Sequence, residues 1–275
     1  MSNTEITKDY YNSSDADTFY FEVWGGEDIH IGIYENTNDI RTASKLTVER
    51  IADMINPFVS QGSTILDIGS GYGGAARYIA KRFNCRVICL NLSDVENKRN
   101  RQINKQLNLT DKISVIDGSF EEIPKDNATI DVVWSQDAML HSGAKEQIFK
   151  EVSRVLKDNG RFVFTDPMQS DTADTNRLQP VYDRIHLESM GSFSLYKKLA
   201  ANHNLTTNNI IDLTDQLPIH YQYILDNLES NEQQLKSKIS KDYIDRMKIG
   251  LKHWVDAGNR GDLSWGILEF ERQPR

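Results

Sequence analysis

Two side chains that can share a proton lie four positions apart near the middle of the chain. Asp137 and His141 follow a run predicted to be a strand, residues 130–135, and stand where a helix is predicted to begin. Residues i and i+4 of a helix lie on one face. A carboxylate beside an imidazole can accept, hold or orient a proton. Two structural roles stay open, a helix N-cap for Asp137 and a buried, hydrogen-bonded imidazole for His141.

An arginine further along the chain offers a site for an anion. Arg184 lies in residues 179–201, which are predicted to form a helix that also carries Met190. A guanidinium is a planar fork of donors that can bind both oxygens of a carboxylate. Arg41 and Arg77 are rival candidates for the same role.

A glycine-rich turn is the strongest sign of a ligand site. An apolar run leads to Asp67, Gly69 and Gly71 follow, and a helix is predicted over residues 74–83. Glycines let the backbone turn sharply and approach a ligand, and the start of the helix offers free N–H groups. The spacing of Gly69, Gly71 and Gly74 also fits G-x-G-x-x-G, so the turn alone does not choose between NAD and another nucleotide.

The elements that must position these residues alternate between strand and helix. Alternation of this kind predicts a parallel sheet with helices on both faces, and ligands bind at the carboxyl ends of its strands. The predicted strands are 63–68, 85–91, 113–117, 130–135 and 161–165, and the predicted helices are 74–83, 94–107 and 144–157. Polar side chains stand at the strand ends: Asp67, Asn91, Asp117, Gln136, Asp137 and Asp166.

The chain is predicted to divide into three parts around this core. Residues 1–60 are rich in aromatic side chains and are predicted to form a helical lid, with residues 61–168 as the core. Residues 169–275 are predicted to supply the helix of Arg184, a helical cap and the closing strands of the same sheet. The predicted elements beyond that helix are a strand at 205–213, two or three helices within 216–257 and a strand at 263–270.

Composition sets limits on the class of protein. The 275 residues are 39% hydrophobic and 26% charged, as in an ordinary soluble domain, and the net charge of −8 argues against nucleic acid or an anionic membrane as partner. Cys85 and Cys89 would stand about 13 Å apart along one strand, too far for a disulfide. No metal-ligand spacing and no signal segment is present, so we expect a metal-free, cytoplasmic protein.

The details around the glycine turn resemble the class I S-adenosylmethionine-dependent methyltransferases over residues 60–168. Asn91 ends the second strand where a dinucleotide enzyme would place an acid. Asp117-Gly118-Ser119-Phe120 follows the third strand, and Val155 to Arg161 opens the fifth. The resemblance implies a Rossmann-like α/β fold, a seven-stranded sheet with an antiparallel last strand, with S-adenosylmethionine as cofactor.

Longer stretches are similar to the small-amine N-methyltransferases, which include the sarcosine/dimethylglycine methyltransferases and, more distantly, the phosphoethanolamine methyltransferases. These stretches are Tyr10-Tyr11, residues 19–26, residues 89–93, residues 134–141, residues 165–168 and residues 183–185. The resemblance implies methyl transfer from S-adenosylmethionine to sarcosine and dimethylglycine, giving betaine.

The resemblance also implies roles for single residues. The cofactor would contact Asp67, Gly69, Gly71, Asn91, Leu92, Asp117, Ser119, Phe120 and Gln136. For catalysis, His141 would accept or orient the amine, Asp137 would be its partner or touch the cofactor's amino group, and Tyr11 and Tyr20 would close the pocket. The substrate would contact Trp24, Met168, Arg184 and Met190.

Other functions stay open at this stage. The alternatives are a phosphoethanolamine-type or other small-amine methyltransferase, an NAD-dependent oxidoreductase, and a cofactor-binding protein without catalysis. A phosphate substrate calls for several cations near the pocket, and residues 169–200 offer few. We expect a small-molecule amine or amino acid as the partner, in a monomer or weak homo-oligomer.

Overall fold

A computed structural model describes residues 3–274, and a single large sheet organises this part of the chain. Its order is β3-β2-β1-β4-β5-β9-β7, and a separate two-stranded ribbon pairs β6 with β8. The strands are β1 (Thr64–Ile68), β2 (Arg86–Asn91), β3 (Ile113–Asp117), β4 (Ile130–Gln136), β5 (Leu156–Thr165), β6 (Met168–Gln169), β7 (Leu205–Asp212), β8 (Leu263–Ser264) and β9 (Gly266–Arg272).

The topology confirms the predicted Rossmann-like sheet. Strands β1 to β5 pair in parallel, whereas β9 pairs antiparallel with both β5 and β7. The final strand therefore lies inside the sheet and β7 forms the edge. The strand order extends from β1 to β2 and β3 on one side, and from β4 to β5 on the other. Sheets of this kind bind ligands in the crevice between the two halves, at the carboxyl ends of β1 and β4.

Helices cover both faces of the sheet, as predicted. α6 and α8 pack on one face, and α3 and α4 pack on the other. The helices are α1 (Asn3–Asn12), α2 (Ser14–Phe19), α3 (Ile40–Ile55), α4 (Gly74–Phe83), α5 (Asp94–Gln106), α6 (Lys145–Val155), α7 (Gln179–Ile185), α8 (Phe193–Asn202), α9 (Gln216–Ser230), α10 (Glu232–Leu235) and α11 (Lys241–Asn259).

The predicted aromatic lid is built from α1, α2 and a π-helix over Tyr20–Trp24. Phe19, Tyr20 and Trp24 share one apolar core with the cap helices α9 and α11, and Ile31 of the following loop belongs to the same core. The lid and the cap are thus packed against each other over the carboxyl ends of the strands. Among residues 3–274, no helix is both long enough and apolar enough to cross a bilayer.

The single helix predicted over residues 179–201 is wrong. The structure has two helices, α7 and α8, because His186 adopts a left-handed conformation (φ 55°) that ends α7. Ser192 then caps α8 by accepting a hydrogen bond from the N–H of Leu195. Gly191 lies so close to Tyr196 that a Cβ there would come within 2.3 Å of its ring. Arg184 therefore sits on a short helix that packs against α11.

Candidate active site

The glycine turn shapes the floor of a large cavity. Gly69 adopts φ 75°, and a Cβ at this position would lie 2.2 Å from the Cβ of Ala138. Both the positive φ and the lack of room for a Cβ therefore require glycine at this position. The turn connects β1 to α4 and leaves the backbone open toward the carboxyl ends of β2 and β4.

The cavity above the turn holds about 730 Å³ of space between atoms, including the part that is open to solvent. It brings together most of the predicted cofactor residues: Gly69, Gly71, Asn91, Leu92, Ser119, Phe120 and Gln136 all line it. The other lining residues include Thr7, Tyr11, Ile29, Ser93, Glu96, Glu121, Asp137, Ala138, His141 and Ser142. We call it the cofactor cavity.

Asp67 lines a smaller recess that adjoins the cofactor cavity at Gly69, Gly71 and Gln136. Burial, together with the nearby Asp28 carboxylate, raises the pKa of Asp67 to about 8. Burial also raises the pKa of Asp28. The buried carboxyl group of Asp67 and the partly buried one of Asp28 in one recess favour a ligand group that is positively charged.

Asp117 does not line the cavity, contrary to the prediction. Its side chain is half exposed, pairs with Arg101 and accepts a hydrogen bond from Asn97 Nδ2 at 2.8 Å. The hydrogen bond from Arg101 is the largest cause of its lowered pKa. Asp117 therefore fixes α5 to the end of β3, whereas Ser119 and Phe120 line the cavity.

Glu96 is a cavity residue that the sequence analysis missed. It lies in the first turn of α5, is buried, and accepts a hydrogen bond from Asn91 Nδ2 at 2.8 Å through Oε2. Oε1 is buried and has no hydrogen-bond partner. Burial raises the pKa of Glu96 to about 7. The carboxyl group of Glu96 thus faces the cavity beside Asn91. The strand β2 itself ends in Asn91, which has no carboxyl group.

A signal for Glu96 was present in the sequence. Ser93 and Glu96 have the spacing of a capping box, and Ser93 Oγ accepts from the N–H of Glu96 at 3.2 Å. In a complete box the glutamate would bond back to the N-terminal end of its own helix. Here its side chain contacts Asn91 and faces the cavity instead.

A second cavity of about 450 Å³ lies between the lid and the cap. It shares Tyr11, Ile29, Asp137 and His141 with the cofactor cavity, so the two spaces meet at these residues. Its remaining lining residues are Tyr20, Trp24, Ile31, Leu140, Pro167, Arg184, Ile185, Tyr221 and Trp254. We call it the substrate cavity.

Tyr11 and His141 form a pair where the cavities meet. The hydroxyl of Tyr11 lies 2.9 Å from Nε2 of His141. Burial lowers the pKa of His141 to about 4, and the positive charges of Lys145 and Arg184 act in the same direction. A neutral imidazole is therefore the resident form at neutral pH, and it can accept the hydroxyl proton of Tyr11.

Asp137 does not pair with His141, one of the two contacts predicted for it, and the other contact, with the cofactor's amino group, stays a prediction. Its Oδ2 accepts from the N–H of Ile31 at 2.6 Å and its Oδ1 accepts from Trp265 Nε1 at 2.9 Å. His141 forms its hydrogen bond with Tyr11 instead. The predicted helix does not begin at Asp137, because Met139 to His141 form a separate 3₁₀ turn. Asp137 thus fastens the lid loop and the start of β9 to the end of β4.

Asp137→Asn is expected to lower the free energy of unfolding by about 1–3 kcal/mol, because an amide can accept only one of the two N–H bonds through oxygen. Chemical denaturation followed by circular dichroism measures the change. Asp126→Asn on the exposed loop before β4 is the matched control and should leave stability unchanged. An Asp137→Asn protein as stable as the wild type would contradict this role.

Arg184 is a partly buried cation with no carboxylate partner in the described part of the chain. It donates to Met247 Sδ at 3.6 Å and packs on Gly250, where a Cβ would lie 2.0 Å from its Nη1. Burial acts to lower its pKa, but the phenol oxygens of neighbouring tyrosines outweigh burial and the pKa is raised. A partly buried guanidinium without a carboxylate partner, at the wall of a cavity, is a site for an anion.

Aromatic rings form much of the remaining wall. Tyr20 and Trp24, both predicted as pocket residues, lie with ring centroids 5.2 Å apart. Tyr221 and Trp254 stack at 4.8 Å. Faces of this kind attract alkylammonium groups and accommodate methyl groups.

Met168 and Met190 do not line either cavity. Met168 is fully buried in the core beneath the sheet, where β6 pairs with β8. Met190 is 2% exposed in the core between lid and cap, and its N–H donates to Gln169 Oε1 at 3.1 Å. Both side chains fill core space, the ordinary role of methionine.

The arrangement suits group transfer between two bound molecules. One molecule would lie along the glycine turn and Glu96, and the other would reach from Arg184 to the Tyr11–His141 pair. Aromatic side chains of the lid, Tyr11, Tyr20 and Trp24, line the space where they would meet. Holding two reactants in this way is itself a large part of catalysis.

Known proteins resemble the chain along nearly all of its length. A family model described as "Methyltransferase domain" matches residues 66–164. The sarcosine/dimethylglycine N-methyltransferase of Aphanothece halophytica is 49% identical over 96% of this chain and 96% of its own. The glycine/sarcosine/dimethylglycine N-methyltransferase of Actinopolyspora halophila is 50% identical over 95% of this chain, which spans only 46% of that longer protein.

A solved structure shares the fold almost completely. The crystal structure of a putative sarcosine dimethylglycine methyltransferase from Galdieria sulphuraria has a TM-score of 0.92 and 41% identity, over 97% of this chain and 100% of that one. The likeness therefore includes the lid and the cap as well as the central sheet.

Proposed function

The chain belongs to the family of the sarcosine/dimethylglycine N-methyltransferases, and from this premise we propose that it methylates the nitrogen of sarcosine and dimethylglycine with S-adenosylmethionine as cofactor. The product of the last step would be betaine. The observation that supports this substrate class is the unpaired Arg184 in a cavity that meets the cofactor cavity at Tyr11 and His141.

The residues of the cofactor cavity fit S-adenosylmethionine. The recess of Asp28 and Asp67 suits its amino group, and the unpartnered Oε1 of Glu96, beside Asn91, suits its ribose hydroxyls. Ser119 and Phe120 lie where the adenine would bind. When bound, the cofactor supplies a methyl group on a positively charged sulfur, which keeps the electron pair of the broken S–C bond.

The substrate cavity would select a small amino acid in the form that can react. Arg184 would bind the carboxylate, and the rings of Tyr20, Trp24 and Tyr221 would surround the N-methyl groups. A buried site beside a fixed guanidinium disfavours a second positive charge, so it lowers the pKa of the bound amine. The amine thereby loses its proton more readily than in water, where its pKa is near that of lysine at ~10.4.

The substrate cavity also argues against a phosphorylated substrate. Arg184 is the one cation among the described residues that line it. A phosphate dianion is bound by several cationic or N–H donors, whereas a carboxylate is matched by a single guanidinium.

Parallel assays with glycine, sarcosine, dimethylglycine and phosphoethanolamine, each with S-adenosylmethionine, test the proposal. We expect turnover with sarcosine and dimethylglycine and betaine as the final product. An NAD-binding measurement is the control for the other nucleotide. Cofactor binding without turnover on any of the four amines would overturn the substrate assignment and leave the fold untouched.

Glu96→Gln is expected to weaken cofactor binding by about 10- to 100-fold, the loss that follows from a hydrogen bond to a charged group. Isothermal titration calorimetry measures the affinity, with Glu122→Gln on the exposed loop after β3 as control. An unchanged affinity would contradict the assignment of Glu96 to the ribose.

The same variant has an opposite effect on stability. A carboxyl group whose pKa rises from 4.5 to about 7 on folding holds its proton more tightly in the folded state, so it costs stability as pH rises through this interval. Glutamine removes that cost. Above pH 7 the variant should therefore melt at a higher temperature than the wild type, and near pH 4.5 the two should coincide.

A further inference from the structure

Methylation of an ammonium ion releases a proton inside the substrate cavity. The N–H bond breaks, its electron pair stays on nitrogen to form the new N–C bond, and the proton must reach solvent. This requirement rests on the proposed function, and it applies to sarcosine and dimethylglycine alike. The residues that could carry the proton away are therefore part of the machinery.

A chain of phenol hydroxyls leads away from the point where the cavities meet. The Tyr11 hydroxyl lies 2.9 Å from His141 Nε2, and the rings of Tyr11 and Tyr20 pack with centroids 5.3 Å apart in the wall of the substrate cavity. The hydroxyls of Tyr20 and Tyr10 lie 3.1 Å apart, and those of Tyr10 and Tyr243 lie 3.2 Å apart. A hydroxyl both donates and accepts, so each member can receive one proton while passing on its own.

His141 is a poor final acceptor for the proton. It is enclosed by protein, and the positive charges of Lys145, Arg184 and His186 oppose an imidazolium at this position. Tyr10, in contrast, is only partly buried, whereas Tyr20 is 7% exposed. The phenol chain thus connects the substrate cavity with Tyr10, a partly exposed residue of α1.

Arg184 lies beside the same hydroxyls and can assist their transfer. Burial raises the pKa of the Tyr20 and Tyr243 phenols, and the positive charge of Arg184 acts in the opposite direction. When Tyr10 gives its proton to solvent, the lost proton is replaced in turn from Tyr20 and Tyr11. Arg184 stabilises the negative charge that moves inward along these phenols. Tyr11 can then take the proton of the ammonium group.

We propose that the hydroxyls of Tyr11, Tyr20 and Tyr10 form the proton exit of the substrate cavity, with Tyr243 holding the Tyr10 hydroxyl in line. Tyr10 and Tyr243 line neither cavity in the structure, so they act through Tyr20 and Tyr11. They are positioning and relay residues for the reaction.

Tyr10→Phe and the double variant Tyr10→Phe/Tyr243→Phe test the proposal, with Tyr182→Phe as control. The Tyr182 hydroxyl bonds to Gln169 Oε1 at 2.9 Å in the same core but outside the phenol chain. For each protein, kcat is measured in H₂O and D₂O. Calorimetry of dimethylglycine binding with S-adenosylhomocysteine, and the melting temperature, report on the site without turnover.

We expect Tyr10→Phe to lower kcat about 10-fold, at the low end of what proton transfer contributes. The solvent isotope effect should rise because proton removal becomes slower, while the dissociation constant of dimethylglycine and the melting temperature stay as in the wild type. Tyr182→Phe should match the wild type in all four quantities.

Two results would overturn the proton exit. One is a wild-type kcat and isotope effect in both Tyr10→Phe and the double variant. The other is a loss of kcat with an unchanged isotope effect and weaker dimethylglycine binding, which would make Tyr10 a packing residue. Turnover of the wild-type enzyme on each amine is measured first. Its absence on every amine would refute the proposed function instead.

Discussion

Arg184→Lys is expected to raise the KM for dimethylglycine by about 100-fold, because a charge-assisted hydrogen bond contributes up to about 3 kcal/mol and a lysine cannot form the paired contact. Arg184 packs directly on Gly250 of α11, which holds its guanidinium in a fixed position that faces the cavity. A shorter-reaching, rotatable ammonium would not reproduce that position.

Steady-state kinetics with dimethylglycine measure the effect, and the affinity for S-adenosylmethionine should remain that of the wild type. Arg41→Lys is the matched control, since Arg41 lines a surface groove on the other side of Trp24. Arg77, the other rival, is paired with Glu27 and bonded to Asn100 and Asn104, and so has no free donors for a substrate. An Arg184→Lys enzyme with wild-type KM would refute the carboxylate assignment.

His141→Ala is expected to lower kcat by about 100- to 1,000-fold, within the range for a group that handles a proton in the transition state. Removing the imidazole leaves the Tyr11 hydroxyl without its recorded acceptor and frees Tyr11 to rotate. The amine would then lose both its orientation and the path for its proton. Turnover is measured at saturating sarcosine and dimethylglycine, with His203→Ala at the end of α8 as control.

The ionisation of His141 should not appear in the pH profile near neutrality. Burial lowers its pKa from 6.5 to about 4, so the imidazole is neutral throughout the range above 6.5. A rise of kcat with pH in that range would then report a group other than His141, namely the bound amine, Glu96 or Asp67. Wild-type turnover in His141→Ala at saturating substrate would contradict the role of the Tyr11–His141 pair.

The order of the strands and the glycine turn could be predicted from the sequence because their causes are local. Apolar runs, turn residues and Gly69 with its positive φ are each set by a few neighbouring residues. Parallel strands joined by helices then leave little choice of topology, so the carboxyl ends meet at one edge. For this reason Asn91, Ser119, Phe120 and Gln136 could be assigned to one ligand before any coordinates were known.

Contacts between distant parts of the chain decided the rest. Asp117 and Asp137 look alike in sequence as acids at strand ends, yet Arg101 engages the first on the surface and the N–H groups of Ile31 and Trp265 engage the second in the core. Glu96 came to the cavity because its helix packs beside Asn91, which no spacing rule specifies. The side chains of Met168 and Met190 are buried in the core instead.

The sequence by itself thus determined the fold, the cofactor turn and the identity of the family, since each depends on residues that are close together or on stretches that can be matched directly. Only the tertiary structure decided which partner each polar side chain has. Pairings such as Tyr11 with His141, or Tyr10 with Tyr243, join residues more than a hundred positions apart. They exist because the lid and the cap fold over the sheet and bury these groups together, where a hydrogen bond must replace the lost water.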